Sequence, residues 1–204
     1  MGKSLFWDVD TQVDFLTRAG RLYVPGAEKI VLRLQQLTAY AADRGIAIVA
    51  STDAHLENDP EFTQYPPHCI VGTEGQLKIG GTLLARRYTL PNRKVELRED
   101  LKTYAQIILE KQALDVFTNP NTAPLLKLLA PREIILYGVV TEICVDRAAR
   151  GLIERGYRVN LVTDAIKHLD PEQASATLDY VVSHGGQLLT TDEVLGAIPA
   201  KTVA

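Results

Sequence analysis

The sequence has few cysteines and no excess of positive charge. Cys69 and Cys144 are its two cysteines, too few for a disulfide framework, so a reactive thiol remains an alternative to a bridge. The formal net charge of the 204 residues is −3. Because no predicted face carries a basic stripe, we expect no binding to nucleic acid or to an anionic membrane surface. A small molecule is the partner that the composition favours.

Long apolar runs are also missing. The longest, "IAIVA" (46–50) and "IILYGVV" (134–140), are far too short to span a bilayer. The opening "MGKSLFWDVD" reaches an aspartate before any signal-like apolar run. We therefore expect a cytoplasmic protein that does not enter a membrane.

Short apolar runs rich in Ile, Val and Leu recur along the chain, as is typical of buried parallel strands. Six such runs occur, at 5–10, 46–51, 105–110, 133–138, 158–163 and 187–191. Segments with helical spacing lie between most of them, and the first of these ends at Gly45, a residue typical of helix C-termini. The alternation predicts a doubly wound, three-layer α/β fold with a six-stranded parallel sheet. With 46% hydrophobic residues, residues 1–204 are expected to form a single domain.

Residues 52–103 interrupt this alternation, because no long helix is predicted there and Pro, Gly, Asn and charged residues accumulate. A loop of that length in a compact domain is usually functional. It contains Asp53, His55, Glu61 and His68, and carboxylates mixed with imidazoles suit Zn, Mn or Fe. On these residues alone, a metal site and an ordinary acidic loop are equally good interpretations.

Chemically capable side chains also stand at the predicted strand ends. The first strand ends in Asp10, the third stops just before Lys111, and the fourth leads into Cys144. Loops at the carboxyl ends of parallel strands converge, so we expect these groups at one edge of the sheet. Each has a simpler interpretation when taken alone: a loop cap for Asp10, a solvated charge for Lys111 and a packed core residue for Cys144.

Cys144 is the candidate nucleophile. Thr141 is a suitable N-cap, which would place Cys144 at the third helical position, where the helix dipole favours a thiolate. Backbone N–H groups there could also receive an oxyanion. Neither His168 nor His184 is indicated as the base, so we assign that role to Asp10, with Lys111 as its charge partner.

Several motifs together resemble one known family. They are "DVDTQVDF" (8–15), "TDAH" (52–55), "PPHC" (66–69), "GTEG" (72–75), Lys111 and "YGVVTEICV" (137–145). In this order, over nearly the whole chain, they resemble the nicotinamidases of the isochorismatase-like cysteine hydrolases. The resemblance implies a catalytic triad of Asp10, Lys111 and Cys144. It also implies a cis peptide between Val139 and Val140, and an oxyanion hole formed by the N–H groups of Val140 and Cys144.

The same resemblance assigns a purpose to the loop. It implies that four side chains hold a divalent metal, Zn in the first place with Mn or Fe as alternatives, which positions the pyridine ring of nicotinamide. These four are Asp53, His55, Glu61 and His68. Phe15 and Tyr65 would stack on the ring. Ala54 stands where relatives carry a bulky aromatic residue, which we interpret as extra room for a larger amide.

The expected function is therefore hydrolysis of nicotinamide to nicotinate and ammonia through a cysteine thioester, within NAD salvage. One alternative is a metal-independent amidase of the same superfamily that acts on a carbamoyl or ureido compound. Another is a non-catalytic binding member. A nucleotide-binding protein fits less well, because "TQVDFL" follows the first strand in place of a Gly-rich phosphate loop. A homo-oligomer is a further expectation.

Overall fold

The protein is built around a parallel sheet of seven strands. The computed structural model describes residues 4–197. The strands are β1 (Ser4–Val9), β2 (Ile48–Asp53), β3 (Arg87–Leu90), β4 (Gln106–Lys111), β5 (Glu133–Val139), β6 (Arg158–Lys167) and β7 (Leu188–Leu189). Their order across the sheet is β3-β4-β2-β1-β5-β6-β7, and every pair is parallel.

The predicted number of six strands was wrong by one. The additional strand is β3, which lies inside the 52–103 region and pairs with β4 at the sheet edge. Three of its four residues are exposed and only Leu90 is buried. An edge strand with one buried side chain produces no apolar run, so the pattern that predicts buried strands does not detect it.

The helices connect and cover these strands. They are α1 (Val13–Leu16), α2 (Val31–Arg44), α3 (Thr122–Leu129), α4 (Asp146–Glu154), α5 (Pro171–Ser183) and α6 (Thr191–Ala197). Short 3-10 turns occupy Ala27–Ile30, Pro60–Thr63, Glu74–Gln76, Glu99–Thr103 and Val116–Thr118. Gly45 ends α2 in the left-handed conformation, as predicted. No helix between residues 4 and 197 is long and apolar enough to cross a bilayer.

Side chains of β1 alternate between the two faces of the sheet and contribute to two separate cores. Trp7 packs with residues of α3 and α4 on one face, whereas Phe6 packs with residues of α2 and α6 on the other. Helices therefore cover both faces, and the predicted three-layer, doubly wound architecture is confirmed.

The strand order reverses direction between β1 and β5. From β1 the chain proceeds to β2, then to the edge strand β3 and back to β4 between them, before it crosses to β5 on the other side of β1 and continues to β6 and β7. In open α/β sheets the crevice at such a switch point, beyond the carboxyl ends of the strands, is where ligands bind. The candidate residues at the ends of β1, β2, β4 and β5 meet at this crevice.

Gly138, near the end of β5, is required by a close approach of two strands. Its φ is +124°, and a Cβ atom there would lie 2.0 Å from the carbonyl oxygen of Val9. We expect Gly138→Ala to lower the free energy of unfolding by about 3 kcal/mol, through the clash and the disfavoured φ. Denaturant unfolding measures this. Gly80→Ala is the matched control, because nothing lies within 4 Å of a Cβ at that position; equal losses in both variants would contradict the explanation.

Candidate active site

Asp10, Lys111 and Cys144 meet at the switch point. Asp10 follows β1, Lys111 is the last residue of β4, and Cys144 lies in the turn after β5. The Lys111 Nζ is 2.9 Å from Asp10 Oδ2 and 3.8 Å from Cys144 Sγ. All three side chains are buried. Lysine thus bridges a carboxylate and a thiol inside the protein, as the resemblance implied.

Burial and charge set the protonation of this group. Burial raises the pKa of Asp10, and the Asp53 carboxylate adds to the rise while Lys111 and Ser51 oppose it. The Ser51 hydroxyl donates to Asp10 Oδ1 at 2.6 Å. Burial would lower the pKa of Lys111, but the carboxylates of Asp10 and Asp53 hold it well above its ordinary value. Lys111 is therefore charged and Asp10 is a stronger base than an exposed aspartate.

The prediction that the surroundings of Cys144 favour a thiolate was wrong. Burial raises the pKa of its thiol well above the ordinary value, with only Lys111 opposing, and Asp10 and Asp53 add to the rise. A buried thiol beside carboxylates keeps its proton. Cys144 therefore needs a base to become a nucleophile, and the hydrogen bond that its thiol makes to Asp10 supplies the path.

The backbone around Cys144 also differs from the predicted helix start. A π-helical turn spans Thr141–Val145 and its N-cap position is Val140, so Thr141 is not the cap. The N–H groups of Ile143 and Val145 both donate to the Val140 carbonyl at 3.1 Å. π-helical turns are frequent at functional sites. The peptide between Val139 and Val140 is cis, which agrees with the resemblance.

A second cluster lies beside these residues. Asp53, the last residue of β2, pairs in register with Lys111 and forms an ion pair with it. Asp53, His55 and His68 offer ligand atoms that all lie within 4.8 Å of one another. The Glu61 Oε1 is 4.0 Å from the Nε2 of His55 and 3.9 Å from that of His68. The four predicted ligands are thus brought together, with Glu61 less tightly placed than the other three.

The donor atoms of this cluster suit a divalent metal. His68 Nδ1 lies 2.8 Å from the Pro66 carbonyl and His55 Nδ1 lies 3.0 Å from Asp59 Oδ2. A proton on each Nδ1 leaves each Nε2 free to bind a cation, the usual arrangement for metal-ligating histidines. Both ring nitrogens of His55 are buried without a hydrogen-bond partner of good geometry among residues 4–197, and Nε2 is the one beside Asp53 and Glu61. A buried, unpartnered nitrogen beside two carboxylates is the environment expected of a metal-ligating histidine.

Charge supports the same conclusion. Burial would raise the pKa of Asp53, but Lys111 and the two histidines hold it well below its ordinary range. Burial would lower the pKa of His55, but the nearby carboxylates of Asp53 and Asp59 outweigh this and raise it. The cluster therefore keeps a carboxylate ionised and attracts positive charge, which are the conditions that a divalent cation requires.

Two further residues of the first motif hold this cluster in place, although the sequence analysis gave them no role. The Gln12 side chain donates to the Asp53 carbonyl at 2.8 Å and accepts from the Asp53 N–H at 2.7 Å. The Asp14 carboxylate accepts from the Cys69 N–H at 2.7 Å, next to His68. The quoted motif contained both residues, but only the fold shows that they reach a loop about forty to sixty positions away.

Cys69 itself lies outside the candidate site. It is fully buried, and its Sγ is 3.8 Å from the Gly75 carbonyl. Burial raises the pKa of its thiol far above the ordinary value. A neutral thiol that packs inward is a structural residue.

A cavity of about 120 Å³ connects the two clusters. Its lining includes Cys144 and Val140 together with Asp53, Glu61 and His68. For comparison, an engineered cavity of about 150 Å³ binds benzene. The cavity is therefore of the size class that holds a single six-membered ring.

Aromatic residues complete this cavity. Phe15 and Tyr65 both line it, and their ring centroids lie 5.4 Å and 6.5 Å from that of His68. Ala54 is buried and is not among the residues that line the cavity, so the extra room at this position stays a prediction.

Comparison with known proteins assigns the family. The isochorismatase domain model matches residues 8–193. The chain belongs to the isochorismatase family. Nicotinamidase of Escherichia coli (strain K12) is 24% identical over 207 residues, which cover 89% of this chain and 92% of that protein. The predicted resemblance to nicotinamidases of this superfamily is therefore confirmed.

Solved structures of the family superpose on this chain. The pyrazinamidase of Pyrococcus horikoshii, in complex with zinc, has a TM-score of 0.75 at 27% identity and covers 92% of this chain and 99% of its own. The N-carbamoylsarcosine amidase of Thermoplasma acidophilum also has a TM-score of 0.75, at 25% identity, with 94% and 98% covered. Both are named for hydrolysis of an amide bond, and the chain studied here is an amidohydrolase of this family.

Proposed function

We propose that this isochorismatase-family protein hydrolyses nicotinamide to nicotinate and ammonia. The observation that carries the proposal is the lining of one cavity, which contains the Cys144 thiol together with three of the four predicted metal ligands, Asp53, Glu61 and His68. A carboxamide on a pyridine ring has its reactive carbon and its ring nitrogen at opposite ends. One cavity can therefore hold the nitrogen at the cluster and present the carbon to the thiol.

The residues that would hold the metal are Asp53, His55, Glu61 and His68, with zinc as our first choice and Mn or Fe as alternatives. A bound divalent cation supplies a Lewis-acidic anchor for the pyridine nitrogen and so positions the ring. Phe15 and Tyr65 flank this position and would stack on the ring faces.

In the proposed reaction, Asp10 takes the proton from Cys144 and the resulting thiolate attacks the carboxamide carbon. The oxyanion is stabilised by the N–H groups of Val140 and Cys144. The C–N bond then breaks, and Asp10 returns its proton to the leaving ammonia. A thioester on Cys144 remains. Water, deprotonated by Asp10, adds to this thioester, and the proton returns to the Cys144 sulfur as nicotinate leaves.

Lys111 is the positioning cation of this scheme. It contacts Asp10, Asp53 and Cys144 simultaneously, and its charge balances the thiolate that forms when Asp10 becomes protonated. Without it, three adjacent acidic groups would be buried without compensation, which is strongly unfavourable. The proposal therefore gives Lys111 an electrostatic role and not that of a nucleophile.

Release of ammonia from nicotinamide by the purified protein tests the proposed function. We expect turnover that chelator treatment removes and that added Zn²⁺, Mn²⁺ or Fe²⁺ restores. Ammonia release that is unaffected by complete metal removal would contradict the role of the cluster. No release from nicotinamide under any metal would contradict the substrate.

Removing one metal ligand is expected to lower metal content and substrate affinity together. We expect His55→Ala to reduce bound metal, measured by elemental analysis, and to raise KM for nicotinamide by about tenfold or more. Because the His55 ring is buried, its removal deletes a nitrogen ligand that solvent does not readily replace. His184→Ala is the control, since His184 is exposed and bonds only to its own helix. Unchanged metal content in His55→Ala would refute the ligand assignment.

The alternative is an amidase for a carbamoyl or ureido compound, favoured by the similarity to the N-carbamoylsarcosine amidase. Such a substrate has no ring nitrogen that could bind a metal, so it leaves the cluster of Asp53, His55 and His68 without a role in the reaction. Ammonia release from carbamoyl compounds measured beside nicotinamide separates the two. A higher kcat/KM for a carbamoyl compound, retained without metal, would favour the alternative.

The wider setting completes the proposal. Hydrolysis of nicotinamide would serve NAD salvage in the cytoplasm. We propose that residues 1–204 act as one domain and that the chain associates as a homo-oligomer, with a small amide as its substrate and neither nucleic acid nor membrane as a partner.

A further inference from the structure

A second, larger cavity lies behind the catalytic turn. Its volume is about 470 Å³, and it lies between the end of β6, the start of α5 and the 3-10 turn at Ala27–Ile30. Lys29, Thr141, Lys167, His168 and Ser175 contribute polar groups to its wall. Within residues 4–197 it shares no lining residue with the active-site cavity. It is therefore a separate space that the proposed reaction does not use.

The cavity carries uncompensated positive charge. Neither Lys29 nor Lys167 has a carboxylate partner in the part of the chain that the structure describes. The acidic residue on the wall, Asp164, is already engaged: its Oδ2 is 3.2 Å from the Arg33 guanidinium, and its Oδ1 accepts from both the N–H and the hydroxyl of Thr191. The charge available to a ligand is therefore that of the lysines.

A buried hydroxyl on the wall also lacks a partner. Thr141 is 1% exposed, it lines the cavity, and its Oγ1 has no hydrogen-bond partner among residues 4–197. A buried polar atom without a partner is unfavourable, and native proteins rarely leave one unsatisfied. The hydroxyl is out of reach of solvent in this rotamer, so a χ1 rotation of Thr141 is what would bring it to an oxygen atom of a bound molecule that accepts its proton. This observation is independent of the lysine charges and indicates the same kind of ligand.

The remaining wall is apolar. Ile30, Ile166 and Leu178 line the cavity beside the polar groups. A bare inorganic ion would leave these side chains in contact with water, whereas an apolar group would cover them. The occupant that matches both parts of the wall has an anionic end and an apolar end.

We propose that this cavity binds a small organic oxyanion, a carboxylate or a phosphate monoester that carries an apolar group. Its oxygens lie among Lys167, Lys29 and the Thr141 hydroxyl, and its apolar part lies against Ile166 and Leu178. Because Thr141 is three residues from Cys144 in the same turn, the occupant contacts the segment that carries the nucleophile. The site is independent of whether nicotinamide is the substrate.

Titration calorimetry on the full-length protein tests this with three probes: inorganic phosphate, benzoate and phenyl phosphate. We expect one site per chain, with phenyl phosphate bound more tightly than inorganic phosphate because of the apolar wall. The benzoate arm shows whether the carboxylate or the phosphate ester is preferred. Absence of binding by both organic probes would overturn the proposal.

Variants locate the site. Ser175 is exposed on α5, so Ser175→Glu should fold normally while placing a negative charge in the cavity, and we expect about tenfold or weaker binding. Thr141→Val should weaken binding severalfold, as expected for one lost hydrogen bond. Ala176→Glu is the matched control, because Ala176 is the exposed neighbour that does not line the cavity. Equal affinity of Ser175→Glu and Ala176→Glu would place the bound anion elsewhere and overturn the proposal.

Discussion

Replacing Cys144 with Ala is expected to lower the turnover of nicotinamide by about 10⁵-fold or more, since loss of a covalent nucleophile in a hydrolase costs roughly 10⁶-fold in kcat. The reason is that Cys144 carries the one thiol among the described residues that line the cavity. Metal content and nicotinamide binding should be unchanged, because Cys144 is not among the clustered ligands. Steady-state ammonia release measures the loss, and calorimetry measures the binding.

Cys69→Ala is the matched control for this experiment. Cys69 is the other cysteine of the chain and, like Cys144, it is buried. It packs against the backbone of Gly75 and not in the cavity. We expect its replacement to leave kcat within about twofold, with at most a modest loss of stability. Similar losses of turnover in both variants would show that burial of a thiol, and not its chemistry, is what the reaction needs.

Replacing Asp10 with Asn is expected to lower kcat/KM by about 10²- to 10⁴-fold, the usual contribution of a positioned base. An amide of nearly the same shape keeps the packing but cannot accept the proton of a thiol whose pKa is raised by burial. Because Asp10 would serve both the acylation and the hydrolysis of the thioester, neither half of the reaction should proceed. Single-turnover kinetics with nicotinamide measures each half.

Asp43→Asn provides the comparison for Asp10→Asn, since Asp43 is an exposed aspartate on α2 and loses the same charge. Its kcat/KM should equal that of the unaltered enzyme. If Asp10→Asn retained more than about a tenth of the original kcat/KM, a loss far below that expected for a general base, another group would have to deprotonate Cys144. Lys111 could not, because its pKa is raised and it stays protonated.

The sequence predicted the strand ends well because parallel strands leave a clear pattern. Runs of buried Ile, Val and Leu locate β2 and β4, and the register that pairs Asp53 with Lys111 follows from two strands that end together. Sites at the carboxyl edge of such sheets follow from topology alone. The convergence of Asp10, Lys111 and Cys144 was therefore predictable before their distances were known.

Features that depend on three-dimensional contacts were not predictable in this way. The helix dipole favours a thiolate at Cys144, but complete burial beside two carboxylates outweighs it, and burial cannot be inferred from one residue's position in a turn. Likewise, the hydrogen bonds of Gln12 with Asp53 join segments whose contact only the folded chain creates. The short edge strand β3 has too little buried surface to leave a sequence pattern.

The central claim is that the metal cluster holds the ring while Cys144 faces the carboxamide. A crystal structure of Cys144→Ala with Zn²⁺ and nicotinamide tests it most directly. We predict one zinc ion bound by Asp53, His55, Glu61 and His68, with the pyridine nitrogen directed at the metal. The carboxamide carbon should lie next to residue 144, with its oxygen near the Val140 N–H. Nicotinamide bound with its carboxamide at the metal and its ring nitrogen directed away would contradict the account.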